Sequence, residues 1–407
     1  MDKKPVVALL GTLDTKGEEY AFLKECFISQ NVETLVIDAG ILDTPAIMPD
    51  IPSDEVAKAA GTSVKELLET GDRGKAIAAM ASGARELVSR LYADKKFDGI
   101  MGMGGSGGSV IASAAMRALP VGVPKLLVST LASGDTRPYV GTSDITMMYS
   151  VVDISGINRI SSSILHNAAN AMAGMVKNLE KADMPGEKPI LGATMFGVTT
   201  PCVSHAREKL EEMGYEVLVF HAVGVGGQTM ESLIRSGYIS AVLDATTTEL
   251  ADEVAGGILS AGPDRLEAAG EAGIPQVVSL GALDMANFGP ADTVPAKLKD
   301  RKFHIHNETV TLMRTTPGEN ATIGKMIAEK LNASKGKTAL FIPLKGVSAI
   351  DIEGGVFYDN EADEALFSAI RENLNTDKVE LIEMDLNVND PEFAEAMAEK
   401  IDEFYRT

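Results

Sequence analysis

Between residues 100 and 109 the chain reads Ile-Met-Gly-Met-Gly-Gly-Ser-Gly-Gly-Ser. An apolar run (Phe97 to Met103) leads into these residues and an Ala-rich helical pattern (Val110 to Leu119) leads out. A strand, a turn made mostly of glycine and then a helix is how backbone N–H groups and a helix N-terminus are aimed at an anion. Glycine alone lets the main chain come that close to a phosphate and take φ > 0 freely. The stretch points to a phosphate-bearing ligand, with Gly105, Ser106, Gly107 and Gly108 as the contacts and the Ser106 hydroxyl as a donor. The bland reading is a tightly packed turn.

Neither of the two common phosphate loops fits. Gly102-x-Gly104-x-x-Gly107 meets the dinucleotide pattern formally, but that motif follows the first strand of its fold and is answered by an acid ending the next strand. Here the next strand ends Val128-Ser129-Thr130. Gly107-Gly108-Ser109-Val110 carries no lysine, which excludes a Walker loop.

Other residues are placed to share the ligand. Gly11 to Glu18 ends the first strand and opens the first helix, where Asp14, Thr15 and Lys16 would converge on the glycine turn. Lys16 would supply a cation for phosphate. Thr15 with Glu18 also fits a capping box, which by itself explains both residues. Arg73, in Gly71-Asp72-Arg73-Gly74-Lys75, is either a phosphate clamp or a solvated charge at a helix start. In the second half, polar loops follow strands at 195–201, 221–227, 244–249 and 281–287, which suggests a second rim. Glu249, Asp284, His304, His306 and Arg314 are its candidates for acid–base and anion-holding roles. His304 and His306 fall on one face if extended and could ligate zinc, but spacing identifies no third ligand, so no metal site is assigned.

The elements that must position these residues alternate strand and helix. Apolar runs at Val6–Leu10, Leu35–Ile37, 97–103 and Lys125–Ser129 predict strands. Ile77, Met80, Ala84, Leu87 and Leu91 form one helical stripe. Alternation restarts after the polar octet 182–189, with strands expected at 190–194, 216–220, 239–243, 276–280, 339–342 and 378–383. Thr316-Pro317-Gly318-Glu319 reads as a capping box that opens a helix. The fold class expected is α/β: two Rossmann-like domains, 1–183 and 188–407, each a mostly parallel sheet flanked by helices, with a ligand cleft between them.

Composition narrows the partners. The net charge of −21 disfavours nucleic acid and anionic membranes, so an anionic ligand must be held by local N–H groups and a few cations. Two cysteines, Cys26 and Cys202, make no disulfide framework, and the chain opens into a strand without a signal peptide. A cytoplasmic protein is expected.

The segments 11–16, 72–77, 102–108, 141–144, 195–203, 220–227 and 312–316 together resemble the ATP-binding domain family named after the tomato mosaic virus resistance protein. The resemblance covers essentially the whole chain. It implies a dimeric two-domain α/β protein with ATP in the N-terminal domain. Carried over by motif, the nucleotide contacts are Asp14, Thr15, Lys16, Arg73, Gly105, Ser106, Gly107 and Gly108. A further family contact is polar, but this chain has Ile41 there, so it is not transferred. Magnesium is expected with the phosphates, with Asp14 or Asp144 helping to hold it. The use of ATP expected is phosphoryl or nucleotidyl transfer to an unidentified small molecule in the cleft between the domains; the alternative is a non-catalytic regulatory module in which ATP stabilises a homodimer.

Overall fold

The computed structural model describes residues 4–42, 44–179 and 188–407. The chain divides into two compact units, Met1–Asp183 and Met184–Thr407. Up to residue 187, the octet expected as the boundary lies outside the described residues.

Unit 1 runs β1 (Val6–Gly11), α1 (Leu13–Ser29), β2 (Glu33–Asp38), α2 (Ser53–Ala59), α3 (Val64–Thr70), α4 (Arg73–Ala93), β3 (Gly99–Gly104), α5 (Ser106–Arg117), β4 (Lys125–Ser129), α6 (Arg137–Val140), β5 (Thr146–Tyr149) and α7 (Arg159–Lys177). Its five strands lie in the order β2-β1-β3-β4-β5 and every pairing is parallel. β1 reads as a continuous apolar run because both faces of the sheet are covered. Val7 and Leu9 pack towards α1 and α7, whereas Ala8 and Leu10 pack towards α2, α4 and α5. The period of two is thus kept even though every position is buried.

Unit 2 continues with β6 (Ile190–Met195), α8 (Thr200–Glu212), β7 (Glu216–His221), α9 (Val225–Arg235), β8 (Ala241–Thr246), α10 (Thr248–Ala255), α11 (Ala268–Ala272), β9 (Gln276–Gly281), β10 (Met285–Phe288), β11 (Phe303–Asn307), β12 (Val310–Arg314), α12 (Pro317–Asn332), β13 (Thr338–Pro343), α13 (Asn360–Asn373), β14 (Val379–Met384) and α14 (Pro391–Arg406). Its six-stranded sheet is parallel, in the order β14-β13-β9-β8-β6-β7. The α/β class and the two mostly parallel, helix-flanked sheets are as the alternation predicts. An antiparallel three-stranded sheet, β10-β12-β11, is an addition that the alternation does not predict. The capping box opening α12 is present: Thr316 accepts from Glu319 N, and Glu319 accepts from Thr316 N.

The expected capping box at Thr15 and Glu18 is not how α1 begins. The N-cap is Thr12, in extended backbone and without a side-chain cap. The Asp38 carboxylate at the end of β2 accepts from Leu13 N at 3.0 Å, so a neighbouring strand satisfies the first turn. Thr15 bonds back to Thr12, and Lys16 departs from helical geometry at φ −129°, ψ 18°.

One side chain fixes where β1 and β3 part. Their parallel register ends at Leu10 and Gly102. Just beyond, the buried Tyr20 hydroxyl donates to Leu10 O at 2.6 Å and accepts from Met103 N at 2.9 Å. Gly11 makes room for that ring, since a Cβ there would lie 2.1 Å from it. Burial pushes the phenol well above its ordinary pKa, so it remains a donor. Tyr20→Phe leaves Met103 N and Leu10 O without this partner and should cost about 1–3 kcal/mol. Urea denaturation measures it, and an unchanged midpoint would refute the bridging role.

Candidate functional site

In a doubly wound sheet the ligand crevice opens where the strand order reverses, outside the carboxyl ends of the strands. In unit 1 the reversal falls between β1 and β3, since β2 lies beyond β1 and β4 beyond β3. A cavity of about 490 Å³ lies there. Its lining includes Asp14, Thr15, Lys16, Arg73, Gly105, Ser106, Gly107 and Gly108, all eight residues expected to hold a nucleotide. They come from the β1–α1 turn, the start of α4 and the β3–α5 turn.

The glycines separate into two groups by what surrounds them. A Cβ on Gly102 would lie 2.6 Å from Ala112 Cβ, and one on Gly104 would lie 2.8 Å from Gly108 Cα. One on Gly108 would sit 3.1 Å from Met103 O. These three let α5 press against β3, so packing explains them. Gly105 and Gly107 are different. The nearest atom to a Cβ on Gly105 is 3.8 Å away, and on Gly107 it is the flexible end of Ile77. Neither has a positive φ. Packing does not demand glycine at 105 or 107, and both face the cavity.

The electrostatics of the cavity come from helix ends. Gly105 is the N-cap of α5 in extended backbone and provides no side-chain cap, so the first-turn N–H groups of α5 have no capping side chain. α1 and α4 also begin at the lining, at Thr12 and at Asp72–Arg73. Asp72 caps its own helix by accepting from Lys75 N. Lys16 lines the cavity and donates its ammonium to Ile154 O. Asp14 Oδ2 accepts from Leu42 N at 2.8 Å, while its Oδ1 is buried without a partner.

Some contributors were not legible beforehand. Asp38 is nearly buried and holds both Leu13 N and Gly40 N, which fixes the turn between β2 and the cavity. Desolvation raises its pKa despite those bonds. Asp153 lines the cavity from the segment after β5, and Leu67 and Leu68 line it from α3. Asp38-Ala39-Gly40, an acid and a glycine at a strand end, was the available signal for the first. Asp144, considered for magnesium, instead forms an ion pair with Lys125 at 2.6 Å and accepts from Gly122 N.

The candidates in unit 2 are placed differently. The loops after β6, β7, β8 and β9 do share one sheet edge, but the side chains of Glu249 and Asp284 turn inward. Glu249 is fully buried, taking Gly224 N, Gly227 N and the Arg265 guanidinium, which also grips Asp244. Asp284 and Arg314 belong to one buried cluster. Asp284 accepts from Ser348 Oγ, and Arg314 Nη2 reaches Asp363 at 2.6 Å and Asp351 at 3.5 Å. His304, half-buried on β11, meets Phe357 edge-on, and exposed His306 falls at a bulge between Ile305 and Asn307. Among the described residues no group of three or more His, Cys, Asp or Glu could hold a metal.

With the geometry in hand, comparison with known proteins places the chain. Residues 5–181 match the N-terminal domain and residues 188–405 the C-terminal domain described as uncharacterised protein family UPF0261. The chain belongs to the UPF0261 family. A UPF0261 protein of Clostridium tetani is 60% identical over 98% of each chain. One from Rhizobium meliloti is 47% identical over 96% of each. The tomato ToMV resistance protein Tm-1(GCR237) is 42% identical over 97% of this chain and 55% of its own length. Among solved structures, UDP-N-acetylglucosamine 2-epimerase from Rickettsia bellii covers 98% of this chain and 95% of its own, at 11% identity and a TM-score of 0.24. That likeness is too faint to inform the site. Among the described residues no helix is long and apolar enough to cross a membrane.

The buried acids of unit 2 carry a pH signature. Burial, then the neighbouring Asp351 carboxylate, raises Asp284 to about 8; the same two causes raise Asp363 to about 7. An unfolded aspartate titrates near ~3.9, so the folded state holds extra protons from about pH 4 to about pH 8. Stability conferred by these groups is full at the acidic end and is lost as pH rises through the folded values. Asp284→Asn mimics the protonated acid and should flatten the decline in urea stability towards pH 8. A slope equal to that of the wild type would contradict the assignment.

Proposed function

We propose that this chain is an ATP-binding protein and that unit 1 holds the nucleotide. The observation that carries the reading is the convergence of eight residues from three separate segments on one cavity where the strand order reverses. Phosphates lie against the Gly105–Gly108 turn and the start of α5, where N–H groups and the helix dipole favour negative charge. Lys16 exchanges the Ile154 carbonyl for a phosphate oxygen, and Arg73 adds a second cation. Such local attraction is needed in a chain of net charge −21.

Magnesium would neutralise the phosphates, and the chain offers it hard oxygen ligands. Asp14 and Asp153 both line the cavity, and the unpartnered Asp14 Oδ1 suits a cation carried in with the nucleotide.

Of the two uses of ATP, a bound nucleotide that stabilises an assembly is favoured over transfer. Glu249, Asp284 and Arg314, named for acid–base and anion-holding work, are 0%, 1% and 3% exposed and are engaged by partners within the unit. They hold the unit together and do not present their groups to a small molecule. Transfer would fall to the more accessible His304 and His306.

Isothermal titration with Mg-ATP tests binding. Gly107→Val leaves only the Ile77 side chain to move, so the fold should persist while affinity falls at least a hundredfold; unchanged affinity removes the phosphate-loop reading. Prolonged incubation with Mg²⁺ followed by nucleotide chromatography should return intact ATP. Appearance of ADP that vanishes in His306→Ala, with ATP affinity retained, would instead establish turnover of ATP.

A further inference from the structure

We infer that the nucleotide site selects for phosphates and accepts the base without hydrogen-bond recognition, so that ATP and GTP are taken with similar affinity. The inference rests on the nucleotide reading of the same cavity and adds what that reading leaves open, its substrate class.

The cavity divides by chemistry. Its anion-attracting groups are the glycine turn with the start of α5, Lys16 on α1 and Arg73 at the start of α4. With the phosphates there, the nucleoside must lie along the remaining wall. That wall is built from Ile41 and Leu42 after β2, Leu67 and Leu68 on α3, and Ile77 and Met80 on α4. None of these six side chains has a donor or acceptor for a base edge. Leu42 and Leu68, from two different elements, are 70% and 47% exposed, so both offer apolar surface that a ring would cover.

Several backbone donors beside this wall are already engaged. Ala39 N bonds Gly11 O, Gly40 N bonds Asp38 and Leu42 N bonds Asp14. Gly71 N bonds Leu68 O and Asp72 N bonds Thr70. Ala76 N, in the first turns of α4, bonds Asp72 O. A base acceptor such as the adenine N1 or guanine O6 position meets no unengaged donor among these groups.

The consequence follows from how sites discriminate. A pocket that hydrogen-bonds a ligand group rejects the analogue lacking it by about 10⁴–10⁵, whereas an apolar pocket separates similar shapes by only about 10–200-fold. Apolar contact with a ring face tolerates any base, because every base has one. Purines cover more of the wall than pyrimidines, so size remains the basis for preference.

The test is isothermal titration of the full chain with the magnesium complexes of ATP, GTP, CTP and UTP. ATP and GTP should bind with Kd values within about 200-fold of each other, the reach of an apolar pocket. Leu68→Ala, on an exposed face of α3, should weaken both purine nucleotides by a common factor. A ratio above about 200-fold between ATP and GTP, or a Leu68→Ala effect confined to one of them, overturns the inference while leaving a nucleotide site in place. If none of the four binds, the nucleotide reading itself fails.

Discussion

The rest of unit 1 depends on the divergence of β1 and β3 beyond Leu10 and Gly102. Parallel strands continue to pair unless something else satisfies their backbone groups. The Tyr20 hydroxyl does this on one side by taking Met103 N and giving to Leu10 O. On the other side α5 is drawn against β3 at distances only glycine permits, at Gly102, Gly104 and Gly108. The opening that results is surrounded by helix starts, so its field is set by peptide dipoles rather than by the strongly acidic surface. A phosphate bound by so acidic a chain would require that local origin.

Unit 2 shows the same architecture closed. There the strand order reverses between β6 and β8. The position is knitted by Thr194 to Asp244, by Thr199 to Thr246, and by a buried Arg265 held by Asp244 and Glu249. Side chains with full hydrogen-bonding capacity take the place that glycine leaves open in unit 1. A buried arginine with several carboxylates is costly to break once assembled, because a lost partner leaves an uncompensated charge. Glu249 therefore reads as a structural acid, despite standing in a polar loop at a strand end.

Much of this was legible in the residues. Strand runs such as Lys125–Ser129 and the Thr316 capping box are local signals, and local signals survive into the structure. The strand-to-helix turn at Gly105 was legible because glycines cluster where an apolar run gives way to a helical pattern. Long-range satisfaction was not legible. The start of α1 is set by Asp38, a residue 25 positions away, which no pattern around Thr15 reveals. The inward turn of Glu249, Asp284 and Arg314 likewise depends on Arg265, Ser348, Asp351 and Asp363, which share no spacing with them. The apolar wall has a related origin: only the fold brings Leu67 and Leu68 of α3 to the cavity that the glycine turn lines.

The central claim is that uncapped backbone N–H groups at the β3–α5 turn hold the phosphates. Amide resonances followed by NMR during titration with Mg-ATP report on those groups one by one. Saturable shifts at Gly105, Ser106 and Gly107, shrinking from ATP to ADP to AMP, are the predicted result. Shifts that leave these three amides in place and gather around His304 and His306 would contradict it.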